Sequence, residues 1–224
     1  MSELDKEYEA SLKSIETENK IDRIFYRPIG FRIARMLRGT GITPNMVTSM
    51  NLLLVLPLVC VTAWYHKFII LSLLIQVYVF LDIMDGNLAR NKNMKSEFGR
   101  KLDILSDTFF YTVGYFFIGI GMDEPIWIVV LFILVQRIYG LVATYYIVPN
   151  IRKLNHFEHT SIKKYFINKD IIFGMDVSLE TLITSVLLFF PIRKIIFIIC
   201  PILWSIDLVY RLYELKWLNR KNIM

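Results

Sequence analysis

From about residue 43 onward the chain is built of long apolar runs separated by short polar breaks. A helix needs about 20 apolar residues to cross a bilayer core. Runs near that length predict six membrane-spanning helices at residues 45–65, 68–90, 99–121, 125–148, 172–190 and 195–212. The fifth is the least regular, because Asp176 and Glu180 fall inside it and either could mark its true start. The expected fold is an all-α integral membrane protein of six transmembrane helices. A polar tail is expected over residues 1–20, and the six-helix domain occupies 41–215, with a short polar tail at 216–224.

Before the first run, residues 21–40 follow a different pattern. Ile24, Phe25, Ile29, Ile33 and Met36 alternate with Arg23, Arg27, Arg32, Arg35 and Arg38. From Pro28 onward the apolar positions recur at i, i+4 and i+7, and proline suits the first turn of a helix. This predicts an amphipathic helix lying in the membrane interface, its arginines meeting anionic headgroups. The first 42 residues hold no apolar core of a secretory signal, so insertion is expected to begin with the first span.

Composition agrees with the pattern. Of 224 residues, 55% are hydrophobic and the mean hydropathy is +0.47, more than a soluble domain of this length carries. The net charge of +6 does not point to nucleic acid, because the basic residues flank the spans instead of forming a separate basic domain. Of the 26 Lys and Arg, only Lys67, Arg193 and Lys194 fall on one side of the six-span layout and Arg137 lies within the fourth span. All the others share the opposite side. The positive-inside rule makes that side cytoplasmic, with both termini on it. Cys60 and Cys200 sit in apolar runs and are expected to be free thiols.

The polar residues that change the picture lie between positions 82 and 107. Asp82, Asp85, Asp103 and Asp107 occupy the flanks of two apolar runs. An Asp at mid-depth costs about 2.5–3.5 kcal/mol on insertion scales, so four unpaired ones would cost roughly 10 kcal/mol. At about 100° per residue, Asp82, Asp85, Gly86 and Ala89 fall within an arc of about 100°, with Arg90 at its edge. Gly99, Asp103 and Asp107 fall within about 80° on the next helix. The short connection makes these helices antiparallel, so both carboxylate stripes lie near the cytoplasmic face. Carboxylate oxygens with no Cys or His nearby suit hard divalent cations and not zinc. Gly86 and Ala89 remove bulk beside the acids, and Arg90 supplies a guanidinium suited to phosphate. Carboxylates, divalent metal, small residues and one arginine describe phosphoryl transfer of the two-metal type.

The ordered set Asp82, Asp85, Gly86, Ala89, Arg90, Gly99, Asp103, Asp107 resembles in full the signature of the CDP-alcohol phosphotransferase family, D-x-x-D-G-x-x-A-R-x8-G-x-x-x-D-x-x-x-D. Six spans behind an interfacial helix are similar to that family as well. The resemblance implies cleavage of a CDP-linked alcohol at its pyrophosphate, transfer of the substituted phosphate to a hydroxyl, and release of CMP. It implies that Asp82, Asp85 and Asp103 bind two Mg²⁺ or Mn²⁺ ions. Asp107 would complete the second metal site and serve as general base. It places Gly86, Ala89 and Arg90, with Asp82, around the nucleotide. Asn45 and Thr48 are further nucleotide candidates, from a Pro-Asn-x-x-Thr stretch similar to that of many relatives. Thr43 and Pro44 would equally serve as an ordinary helix start. Relatives are often homodimers, which makes a homodimer in a bacterial inner membrane the expectation.

Two donor types fit the signature. In one, CDP-diacylglycerol gives phosphatidyl to a soluble alcohol; in the other, a CDP-linked polar alcohol gives its headgroup to a lipid or glycan hydroxyl. The compact chain resembles the first. For the acceptor, Arg137 inside the fourth span needs a partner, which is an acceptor phosphate, an active-site carboxylate or Asp207. Arg152, Lys153, Lys163 and Lys164 form a basic loop that would either bind a phosphorylated acceptor, with Arg152 the candidate, or serve orientation and lipid contact, the favoured reading. Asp207 and Arg211 at i and i+4 are expected to pair. No metal is assigned to His156 and His159 of this loop. A membrane prenyltransferase would need a second Asp-rich motif. An ion-coupled transporter would place its acids at mid-depth beside repeats or broken helices.

Overall fold

The computed structural model describes residues 26–153, Thr160, Tyr165, Met175 and residues 177–221. Every regular element among them is helical. Helix α1 is Arg27–Met36. It is followed by α2 (Pro44–Trp64), α3 (Phe68–Asn91), α4 (Glu97–Gly121) and α5 (Ile126–Ile151). Then come α6 (Val177–Leu188) and α7 (Ile196–Lys221). Helices α2 to α5 and the segment Arg193–Leu218 are each long and apolar enough to cross a membrane. Large apolar side chains such as Leu53, Trp127 and Val209 stay exposed on their outer faces, as expected of an integral membrane protein with lipid for solvent.

The boundaries of these five follow the apolar runs to within a few residues, except at the C-terminal end, where α7 continues nine residues past 212. The fifth run differs. Its described helix has 12 residues, about 18 Å against the roughly 30 Å of a bilayer core. Glu180, Thr181, Thr184 and Ser185 are all buried on it, while Val177 and Val186 are exposed, so it turns a polar face to its neighbours and an apolar one outward.

Two prolines shape α2 and α5. Pro57 and Pro149 each lack an N–H and crowd the carbonyl four residues back. A wider π-helical turn precedes each of them, Asn51–Val55 and Ala143–Ile147, and lets the helix continue. The loops after α2, α3 and α4 close in the same way. His66, Asn93 and Asp123 take φ of 56°, 54° and 55°, and the following N–H returns to a carbonyl five residues back, as in Met94 N to Ala89 O at 3.0 Å. This is the left-handed helix ending that usually recruits glycine. Between α3 and α4 it sets the turn that brings the two acidic stripes together.

The core is an aromatic ladder. Tyr78 of α3 stacks on Phe110 of α4, Tyr115 stacks on Phe132 of α5, and Phe132 meets Phe197 and Trp204 of α7. At the end away from the acids, α2 and α4 approach so closely that a Cβ on Gly121 would sit 2.2 Å from the Ala63 carbonyl oxygen.

Helix α1 begins with Pro28 in its first turn, as expected. The face it packs on the bundle is separate from the apolar set at i, i+4 and i+7. Gly30, Phe31 and Ala34 are buried, with Gly30 against Ile83 and Asn87 of α3. Ile29, Ile33 and Met36 point outward. The helix therefore has one face on the bundle and an apolar face left outside it. Residues 21–25 lie outside the described residues.

Candidate active site

Three helices build the site at one end of the bundle: the start of α2, the second half of α3 and the first half of α4. Helix α2 begins where Thr43 accepts a bond from the Met46 N–H. Helix α4 begins where Ser96 accepts from the Gly99 N–H at 3.0 Å. These caps satisfy backbone donors that helix starts leave open and so fix where each stripe starts. Lys92 donates to the carbonyls of Thr40 and Ile42, both at 2.7 Å, tying the end of α3 to the chain entering α2.

Asp82, Asp85 and Asp103 meet here. Each offers a carboxylate oxygen, and the three oxygens lie within 4.8 Å of one another. Asp82 and Asp103 are within hydrogen-bonding reach. Asp85 is buried, and its Oδ2 accepts from Thr48 Oγ1 at 2.5 Å. Three like charges in such a space repel one another strongly in partly desolvated surroundings. An all-oxygen donor set of this kind fits a hard divalent cation.

Asp107 lies one turn deeper on α4. It stands apart from that triplet, and its Oδ1 is 3.4 Å from the Tyr78 hydroxyl. Tyr78 in turn is 2.9 Å from Ser106 Oγ, and Asn51 donates to the Tyr78 carbonyl at 2.9 Å. The sequence motif named neither Tyr78, Ser106 nor Asn51. The only signal for them was a polar side chain inside an apolar run.

The small residues serve two purposes. A Cβ on Gly86 would meet only the Arg90 guanidinium, at 3.7 Å, so the helix face beside Asp82 and Asp85 is open. A Cβ on Gly99 would sit 2.8 Å from Asn45 Oδ1, so this glycine allows α2 and α4 to touch. Asn45 thus packs against Gly99, and Thr48 holds Asp85. Arg90 folds back to donate to Asn87 Oδ1 at 2.9 Å. Ala89 is half-buried on the same face.

Arg137 on α5 reaches the same region. Its Nη2 donates to the carbonyl of Thr108 at 2.7 Å, the residue after Asp107, and it interacts electrostatically with Asp107 and Glu180. Its Nε is buried with no partner. Asp207 is not its partner. That carboxylate takes Arg211 Nε and the Tyr139 hydroxyl, both at 2.6 Å, which is the expected i,i+4 pair with one addition. Next to Arg137, Gln136 donates to buried Glu180 at 2.6 Å. Arg152 ends the helical stretch Val148–Arg152, and its side chain lies outside the described residues, as do His156, His159, Lys163 and Lys164. Cys60 and Cys200 are free, as expected.

Along the exposed side of α2 runs a nearly flat, largely apolar strip of Asn45, Met46, Ser49, Met50 and Leu53. It starts at the residue that touches Gly99.

Comparison with known proteins agrees with this geometry. Archaetidylinositol phosphate synthase of Pyrococcus horikoshii is 37% identical over 76 residues, a stretch covering 34% of this chain and 40% of that protein. The profile of the CDP-alcohol phosphatidyltransferases matches residues 41–206, which include α2 to α6, the first part of α7 and every carboxylate of the site. The chain belongs to the CDP-alcohol phosphatidyltransferase family.

Proposed function

We propose that this protein is a metal-dependent phosphotransferase that moves phosphatidyl from CDP-diacylglycerol to an acceptor hydroxyl and releases CMP. The meeting of Asp82, Asp85 and Asp103 within 4.8 Å, on the two helices that carry the family signature, supports this reading most directly. These three carboxylates would hold two Mg²⁺ or Mn²⁺ ions, with Asp107 completing the second site. Metal ions held by these residues would supply positive charge to neutralise the pyrophosphate and stabilise the leaving oxygen of CMP.

The chain's own residues do the rest. Arg90 binds the diphosphate through a guanidinium matched to phosphate oxygens. The open face at Gly86 and Ala89 admits the nucleotide, with Asn45 and Thr48 bordering it. Asp107 takes the acceptor's proton as its oxygen forms a bond to the phosphorus attached to diacylglycerol. The bond from that phosphorus to the bridging oxygen breaks, and its electron pair leaves with CMP. A hydroxyl is a weak nucleophile until such a base acts.

Arg137, with its unpartnered buried Nε, supports an acceptor bearing an anionic group, such as a phosphorylated polyol, and Arg152 is the second candidate. The relative's name includes an inositol phosphate product, which makes inositol phosphate the first acceptor to try. In this reading the chain crosses the membrane six times, counting Val177–Leu188 with the residues before it. The site faces the cytoplasm, the side rich in Lys and Arg.

Incubating the purified protein with CDP-diacylglycerol and inositol phosphate, glycerol phosphate or serine, and separately with CDP-linked small alcohols and diacylglycerol, separates the donor types. Mass spectrometry of the lipid product should show a phosphatidyl ester of a phosphorylated acceptor. A product formed only from a CDP-linked small alcohol would replace phosphatidyl transfer by headgroup transfer.

A further inference from the structure

Tyr78 lies on α3 one turn before Asp82 and outside the family signature. It is 1% exposed, and contacts from α2 and α4 fix it. Its ring lies flat on Phe110, with centroids 3.8 Å apart and planes 12° from parallel. Its carbonyl is held by Asn51 of α2. Its hydroxyl stands between Ser106 Oγ at 2.9 Å and Asp107 Oδ1 at 3.4 Å.

Proton accounting gives this trio a direction. A phenol has one proton, an ionised carboxylate only accepts, and a serine hydroxyl does either. All three are satisfied when Ser106 donates to the Tyr78 oxygen and Tyr78 donates to Oδ1 of Asp107. At 3.4 Å the second bond is long, and catalytic hydrogen bonds commonly tighten when substrate arrives. Packing alone does not account for a tyrosine here. Phenylalanine would stack on Phe110 equally well, and a buried hydroxyl is costly unless it is bonded.

We propose that Tyr78 is a positioning residue for the transfer reaction: braced by Ser106, its hydroxyl holds Oδ1 of Asp107 so that Oδ2 is presented to the acceptor hydroxyl. This rests on Asp107 being the general base. Tyr78→Phe keeps the ring and removes only the hydroxyl.

The test compares full-length wild type, Tyr78→Phe, Ser106→Ala and Asp107→Asn. It reads kcat and KM for CMP release, CDP binding by calorimetry, and Tm. Tyr78→Phe should lower kcat about tenfold to a hundredfold, part of the roughly 10²–10⁴ that a positioned base contributes. Its donor KM and CDP affinity should stay within about twofold, and its Tm close to that of wild type. Ser106→Ala should move kcat in the same direction by less. A kcat for Tyr78→Phe within twofold of wild type, while Asp107→Asn is inactive, overturns the proposal alone. So does a loss of kcat matched by equal losses in CDP affinity and Tm, which would mark a structural role. Wild-type turnover in Asp107→Asn overturns the base assignment and the proposal together.

Discussion

The Thr48 hydroxyl donates to Oδ2 of Asp85 at 2.5 Å, joining the start of α2 to the most buried carboxylate of the site. Thr48 thus acts on a candidate metal ligand from outside the acidic motif. Partners of this kind orient ligands, and losing one typically costs about 10–100-fold in metal affinity. Thr48→Val keeps the shape and removes the donor. Its Mn²⁺ affinity, read by electron paramagnetic resonance titration, should fall about tenfold or more, whereas Thr48→Ser should stay near wild type.

Gly99 is tight for a different reason. An added methyl would lie 2.8 Å from Asn45 Oδ1 and 3.1 Å from the Ser96 hydroxyl that caps α4. Gly99→Ala should therefore lower stability by about 1–3 kcal/mol, as overpacking does. Thermal unfolding of Gly99→Ala with Asn45→Ala should recover more than half of the loss, because the nearest obstructing atom is then gone.

At the opposite end the obstruction is backbone. A methyl on Gly121 would meet the Ala63 carbonyl oxygen at 2.2 Å, and neither helix can yield without moving. Gly121→Ala should reduce Tm more than Gly99→Ala. Gly140→Ala is the control. A Cβ there meets nothing within 4 Å, and alanine suits a helix interior better than glycine by about 1 kcal/mol. Its Tm should match or exceed that of wild type.

Arg137 should reveal itself through the acceptor. Arg137→Gln removes the cation beside Asp107 while retaining a polar side chain. With an anionic acceptor its KM should rise about tenfold or more, since a hydrogen bond to a charged group contributes about 1.5–3 kcal/mol. The donor KM should not change. Acceptor saturation curves for wild type and variant check this directly.

Much of the layout was legible in the sequence because it depends on local rules. Apolar runs of spanning length gave the five long helices, and helical periodicity placed Asp82, Asp85 and Asp103 where they meet. What escaped depends on how helices pack across one another. The partnership of Asn51, Tyr78 and Ser106 joins residues 27 and 28 positions apart, and no spacing rule pairs them. On α1 the apolar spacing marks the outward face of Ile29, Ile33 and Met36, but gives no sign that Gly30, Phe31 and Ala34 form a second face packed on the bundle, where close helix contact favours small residues. The Arg137 partner was open for the same reason: three acceptors lay within plausible reach, and only packing chose the Thr108 carbonyl.

CMP release from CDP-diacylglycerol by the purified protein, in the presence of a phosphorylated polyol, tests the central claim most directly. Release should stop when EDTA removes divalent metal and return with Mn²⁺ or Mg²⁺. It should fall by about 10² or more in Asp107→Asn, whose binding of CDP should persist. Undiminished CMP release after metal removal, or wild-type turnover in Asp107→Asn, would contradict the account.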